Sequence, residues 1–239
     1  MDVKIQQFLF GQNYSWSHIG KAISYELLKL NHNLDLISTD GVSEKYLDKQ
    51  LKNFLVKSPK LEYDCQISYT APTNWPVFLR NGKKNRFAIW CYEWPLIPTG
   101  FAKYHQFVDK ILAPSQFAKD CFLNSKVPED KIVVVPHGIT FDSFNDIKYP
   151  LKTKKSNKIL IDVGQSHLRK NISGAFAAYG KAFTNQDDVC LIAKIHQKPV
   201  KAAFDVDVNK ILKEFKKQYP KHAEIELITE YVPNIIELY

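Results

Sequence analysis

No run of eighteen apolar residues occurs in these 239 residues, so no membrane-spanning helix is expected. The start, Met1 to Phe8, lacks the charged-then-apolar layout of a signal peptide, which makes a cytoplasmic location the expectation. Without an export signal, the sequons at Asn13-Tyr-Ser15 and Asn171-Ile-Ser173 read as chance. Cys65, Cys91, Cys121 and Cys190 lie far apart with no Cys-x-x-Cys pair. Metal and redox motifs are therefore unsupported, and reduced structural thiols are expected. No Gly-x-Ser-x-Gly elbow and no metal-spaced His/Cys cluster is present, so no metal is expected. The turn from Gly11 to Gly20 holds no Gly-x-Gly-x-x-Gly, which removes support for a nicotinamide-dependent dehydrogenase.

What remains is ordinary in bulk. Hydrophobic residues make up 45% and charged residues 24% of the chain, enough for a sizeable core. The length suits one large or two small domains. The net charge of +8 owes much to Lys148, Lys152, Lys154, Lys155 and Lys158. A solvated linker is the favoured reading of that run. Anionic lipid surfaces and acidic ligands are the functional alternatives. Nucleic acid is not expected as a partner, because no recognition motif accompanies the charge.

The most telling stretch is 111–138. Ile111-Leu-Ala-Pro-Ser-Gln-Phe, a short helical run, and Lys131-Ile-Val-Val-Val-Pro-His-Gly138 read as strand, turn, helix, strand and turn. Such a βαβ unit implies a parallel sheet covered on both faces. Polar residues follow each strand, Ser115 after the first and His137 with Gly138 after the second. In open α/β sheets that edge takes the ligand.

The rest of the chain repeats the pattern. Strands are expected at Val3–Phe10, Leu34–Ile37, Cys65–Tyr69, Phe87–Cys91, Val108–Ala113 and Ile132–Val135. A helix with Ile19, Ala22, Ile23, Leu27 and Leu30 on one face follows the first strand, and another is expected over 43–56. From Phe141 to Asn157 the periodicity stops. This gives a first domain over 1–145, a lysine-rich linker over 146–157 and a second domain over 158–239. The latter opens with a strand at Ile159–Val163, a loop at Gly164–Lys170 and a helix carrying Ile172, Phe176, Tyr179 and Phe183. A strand at Val189–Ile195, a charged helix over 206–218, a strand at Ile225–Ile228 and the start of a helix at Val232–Tyr239 complete it. The expected class is α/β, with two Rossmann-like domains, the C-terminal one incomplete.

Chemistry is sought first in Gly164-Gln-Ser-His-Leu-Arg169-Lys170-Asn171, between a buried strand and a helix. Asn171 can cap that helix. The helix N-terminus favours phosphate, and Arg169 and Lys170 add two cations, one able to grip phosphate oxygens with two nitrogens. A diphosphate cradle and an ordinary solvated Arg-Lys pair are near even on these residues alone. Gly11 offers close backbone approach or simply a tight turn. His137 and His105, the latter near Glu93 and Trp94, are more often structural than catalytic. Trp16, Trp75, Trp90 and Trp94 suit either sugar stacking or the core.

These residues together resemble a known family. Val108-Asp-Lys-Ile-Leu-Ala-Pro-Ser-Gln-Phe117 and Val127-Pro-Glu-Asp-Lys-Ile-Val-Val-Val-Pro-His-Gly-Ile139 resemble the segment before the interdomain crossing in retaining GT-B glycosyltransferases, closest to the "glycosyl transferases group 1" type. Trp90-Cys-Tyr-Glu-Trp-Pro-Leu-Ile-Pro98 resembles a run upstream of it. Val163-Gly164 with Arg169-Lys-Asn171 resembles the family's phosphate loop. Ile225-Glu-Leu-Ile-Thr-Glu-Tyr-Val-Pro-Asn-Ile-Ile-Glu-Leu-Tyr239 resembles its strand-loop-helix beside the nucleobase.

The resemblance implies hexosyl-type transfer with retention, from a nucleotide-sugar on the second domain to a glycan, lipid or small molecule on the first. It implies no cofactor and no required metal. Arg169 and Lys170 would stabilise the departing diphosphate, and His105 would contact the transferred sugar. Gly11, His137, Gly138, Gly164, Asn171, Thr229, Glu230 and Tyr231 would line the donor, and Trp16, Glu93 and Trp94 the acceptor. Peripheral contact with an anionic membrane fits the basic charge.

The family's two glutamates with seven residues between them and its returning C-terminal helix have no counterpart before Tyr239. A truncated donor domain, and weak or no transfer by these residues alone, are therefore expected. The first turn also lacks the family's paired glycines. A non-catalytic sugar- or nucleotide-binding module and another Rossmann enzyme, such as a nucleotide-sugar epimerase, are the alternatives.

Overall fold

The computed structural model describes residues 1–7, 15–39, 47, 49–57, 60, 62–79, 85–138, 149–196, 205–230 and 232. The chain divides into two compact units, Met1–Ile139 and Thr140–Tyr239. Each is built around its own parallel sheet.

In the first unit six strands lie in the order β2-β1-β3-β4-β5-β6. They are β1 (Asp2–Gln7), β2 (Asn33–Ser38), β3 (Cys65–Tyr69), β4 (Arg86–Ile89), β5 (Lys110–Ala113) and β6 (Ile132–Val134). All neighbours pair in parallel. Side chains alternate across a strand, so register decides which residues share a face. Val3 and Ile5 with Leu34 and Leu36 pack against α1 (Ser15–Lys29) and the short α2 (Lys49–Lys52). Ala88, Ile111 and Ile132 fall on the opposite face, under α3 (Trp75–Phe78) and α4 (Gln116–Asn124). Helices on both faces are the doubly wound arrangement.

That opposite face carries a polar row. Lys4 lies between Asp35 and Gln66 in register, Gln66 pairs with Arg86, and Arg86 is clamped by Asp109. Lys4, Gln6, Gln66 and Ser68 are all buried. Lys4 Nζ donates to the Phe78 carbonyl and lies 5.4 Å from the Tyr63 ring centre, while Tyr63 donates to Asp35 at 2.7 Å.

Two expectations change here. The helix expected over 43–56 is helical only at Lys49–Lys52 among the described residues. Phe54 and Val56 instead hydrogen-bond Leu36 as a bridge on the outer edge of β2. An edge strand's unpaired amides attract such a cover. Ser115, expected among the ligand-facing residues, caps α4: its Oγ accepts from Ala118 N at 3.2 Å.

The second unit has β7 (Asn157–Gln165), β8 (Val189–His196) and β9 (Glu224–Ile228) in that order, all parallel. α5 (Ile172–Ala182) and α6 (Val208–Gln218) cover one face through Phe176, Tyr179 and Phe215. Asp207 caps α6 by accepting from Asn209 N and Lys210 N. The other face is closed by Tyr149 and Leu151, which pack on Cys190, Ile192 and Ile228.

The lysine-rich segment, expected as a solvated linker, is therefore part of this unit over its described residues. Thr153 is buried, and Glu226 accepts from the amides of Lys152 and Thr153. Lys152, Lys154 and Lys158 are exposed while the backbone is held. The helix expected over Val232–Tyr239 lies outside the described residues apart from Val232. Among the described residues, no helix is long and apolar enough to cross a membrane.

Candidate functional site

Two groups of polar residues form at the carboxyl edges of the two sheets. In the first unit, Tyr69 ends β3, Cys91 follows β4 and His137 follows β6. Tyr69 Oη lies 3.6 Å from Cys91 Sγ, and Cys91 Sγ lies 3.7 Å from His137 Nε2. The Tyr69 and His137 rings meet edge-on with centres 6.1 Å apart. Trp16, in the first turn of α1, stacks on Tyr69 at 5.2 Å and 18°. Four elements thus converge on one thiol–imidazole–phenol array beside an indole.

Burial sets the protonation of this array. It pushes the Tyr69 phenol and the Cys91 thiol up, although the Tyr69 hydrogen bond pulls the thiol back. It pushes His137 below the usual imidazole value. At neutral pH the three groups are a phenol, a thiol and a neutral imidazole, able to donate and accept hydrogen bonds without net charge.

Glu93 and Trp94 lie apart on an exposed loop, with Trp94 68% and Leu96 59% exposed. His105 sits in a 3₁₀ turn, Ala102–Phe107, packed beside the α4 core, and its buried Nδ1 has no partner. Among the described residues, no contact brings His105 to Tyr69, Cys91 or His137. Gly138 is exposed and Gly11 lies outside the described residues.

In the second unit, β7 leads into a 3₁₀ turn, Leu168–Lys170, and then α5. Arg169 and Lys170 are both exposed. Asn171 adopts a left-handed backbone, φ 49°, but its side chain makes no capping bond to α5. The expected cap is thus absent, and no side-chain cap covers the helix's first amides, which keeps their donor character available. Gly164 is also left-handed, at φ 62°, beside a register shift between Asp162 and Gly164. A Cβ there would meet nothing within 4 Å, so backbone angle rather than crowding calls for glycine, and the backbone is open to approach.

At the end of β9, Thr229 is half-buried and Glu230 exposed, while Tyr231 lies outside the described residues. Tyr149 donates to Glu230, and that bond first of all holds the Glu230 carboxyl below its usual range. Beside these sits Lys194, buried on β8, a residue that sequence reasoning missed. Its signal was there: a lysine inside Leu-Ile-Ala-Lys-Ile, where a strand covered on both faces calls for an apolar residue.

No protein-family model and no curated protein matches the sequence. Solved structures do. The chain is similar to HepE from Anabaena in complex with UDP-glucose, at 12% identity and a TM-score of 0.63, over 99% of this chain and 71% of that one. It is similar to the lipopolysaccharide outer core galactosyltransferase WaaB in its apo form, at 13% identity and a TM-score of 0.59, over 100% of this chain and 72% of that one. It is also similar to UDP-GlcNAc 2-epimerase from Methanocaldococcus jannaschii, at 15% identity and a TM-score of 0.51, over 99% of this chain and 76% of that one. Identities of this size show the fold: α/β, with Rossmann-like units in the GT-B pattern.

Proposed function

We propose that this chain is a glycosyltransferase that uses a nucleoside-diphosphate sugar as donor, with retention at the anomeric carbon. One observation carries the reading. A GT-B likeness over 99% of this chain, to a structure with UDP-glucose bound, coincides with two exposed cations on the turn between β7 and α5. In this reading Arg169, Lys170 and the first amides of α5 meet the diphosphate, whose negative charge grows as the sugar bond breaks. Donors already aimed at developing charge lower the barrier without reorganising. The counter-charge is assigned to side chains rather than to a metal ion, and no cofactor is invoked.

Gly164, Thr229, Glu230 and Tyr231 would line the donor. Trp16, with the Tyr69–Cys91–His137 array, would face the acceptor, taken as a glycan or lipid. The exposed Trp94 and Leu96 suit a lipid acceptor or an anionic membrane surface, and the proposed location is the cytoplasm. The epimerase likeness supports an alternative reading, rearrangement of a UDP-sugar with no acceptor.

Thermal melting with UDP, GDP and ADP tests the reading. One of these should raise the melting temperature, as a ligand that binds only the native state must. The double substitution Arg169→Ala, Lys170→Ala should remove the shift. No shift with any of the three would overturn the proposal. Incubation with UDP-glucose and UDP-GlcNAc alone separates the alternative, because epimerisation without acceptor would favour it.

A further inference from the structure

The central strand of the second sheet holds a residue that such strands normally exclude. Seven of the eight residues of β8 are buried, and one of them is Lys194, only 6% exposed. Lysine is almost never buried to this degree without a partner. Yet among the described residues its ammonium donates no hydrogen bond and joins no ion pair. The carboxylates whose charge it feels are engaged elsewhere. Asp162, opposite it in the β7–β8 register, accepts from Gly164 N at 3.1 Å. Glu230 accepts from Tyr149. Burial lowers the Lys194 pKa from its ordinary value, and the charges of Asp162 and Glu230 act against that. The strand therefore ends with a mostly buried lysine whose ammonium makes no hydrogen bond to the described residues.

We propose that Lys194 forms an anion-binding subsite at the carboxyl edge of β7 and β8, taking the diphosphate of the nucleotide-sugar. This rests on the glycosyltransferase reading and deepens it. Gly164 pairs with Ile195 in register, so the left-handed glycine, with open space where a Cβ would stand, lies beside the end of the lysine's strand. Ser166, 3% exposed on the same edge, has a hydroxyl with no partner. A cation on a mostly buried side chain is screened less by water than Arg169 or Lys170 on their exposed turn, and so attracts phosphate more strongly. The neighbouring carboxylates repel its phosphates, so the ligand must also bring donors that answer them. A nucleotide-sugar presents hydroxyl groups beside its phosphates, and Asp162 and Glu230 accept from hydroxyls.

A purely structural lysine predicts something different. If Lys194 served the fold through Asp162 and Glu230, its replacement by an apolar side chain of similar length would destabilise the unit. If it serves a ligand, the replacement removes a mostly buried lysine whose nearby carboxylates are already held by Gly164 N and Tyr149, and leaves the fold as stable or more so.

Calorimetric titration with UDP, GDP, ADP and inorganic pyrophosphate, alongside unliganded melting, decides between them. Lys194→Met should weaken diphosphate binding at least about tenfold, close to 1.4 kcal/mol. Its unliganded melting temperature should equal or exceed that of the unsubstituted chain. Lys194→Arg should recover part of the affinity. If Lys194→Met binds a nucleoside diphosphate within twofold of the unsubstituted chain, the subsite falls and the glycosyltransferase reading stands. A lower unliganded melting temperature with unchanged affinity also overturns the subsite. Lys194-dependent binding of pyrophosphate with no binding of UDP, GDP or ADP upholds the subsite and sinks the nucleotide-sugar reading. Binding of none of the four overturns both.

Discussion

His137 shows how one side chain turns burial into pH dependence. Its imidazole lies below the ordinary value because the folded chain desolvates it. The unfolded chain therefore takes up a proton at a higher pH than the folded one. Stability is complete above the unfolded value and falls as pH drops from there through the folded value. An NMR titration should place the His137 midpoint below 6.5, the ordinary histidine value. His137→Gln should remove this part of the acid sensitivity, and a midpoint at or above the ordinary value would contradict the account. At this scale the sequence was only partly readable. His137 could be picked out because it follows a clear strand. Tyr69 and Cys91, 22 residues apart in sequence, could not, because only strand order brings them together, and Cys91 stands 46 residues from His137. Lys194 was passed over because the apolar run around it was read as a whole.

Among the elements, α5 and α6 meet at a glycine. A Cβ on Gly180 would lie 2.6 Å from Phe215 Cε2 and 2.6 Å from Tyr219 Cγ, closer than such atoms approach. Both belong to rings on α6 or just after it, so the helix must shift to admit a methyl group. Overpacking of this kind costs about 1–3 kcal/mol, against less than about 1 kcal/mol gained from helix propensity. Gly180→Ala should therefore lower the melting temperature by several degrees, and an unchanged melt would show that α6 moves freely. The strands and α1, α4, α5 and α6 were legible because their apolar spacing is regular. Two segments were not. Lys49–Lys52 is too short a helix to set a period, and the residues after it pair with the edge of β2. The lysine-rich segment read as solvated because its side chains are charged, yet its amides are bound by Glu226, a backbone role that composition does not record.

At the scale of the whole molecule, each unit has apolar clusters of its own. Phe176→Ala removes a fully buried ring from the second core alone, at about 3–5 kcal/mol. Hydrogen exchange should accelerate across β7, β8, β9, α5 and α6 while β1, β3 and β4 keep their protection. Equal acceleration in both units would show that they unfold together. The GT-B pattern was legible at this scale because the family-like segments occur in order along the chain, although each is weak alone. The polar row from Asp35 through Lys4, Gln66 and Arg86 to Asp109 reaches the same scale through assembly. Its charges match only when four strands and the turn into β5 align in one way. A slip by a single residue would drive Lys4 and Arg86 into the oily face under α1. The row thus works as a lock on strand alignment, so that a misthreaded chain is rejected by stranded charge before its hydrophobic layers can close.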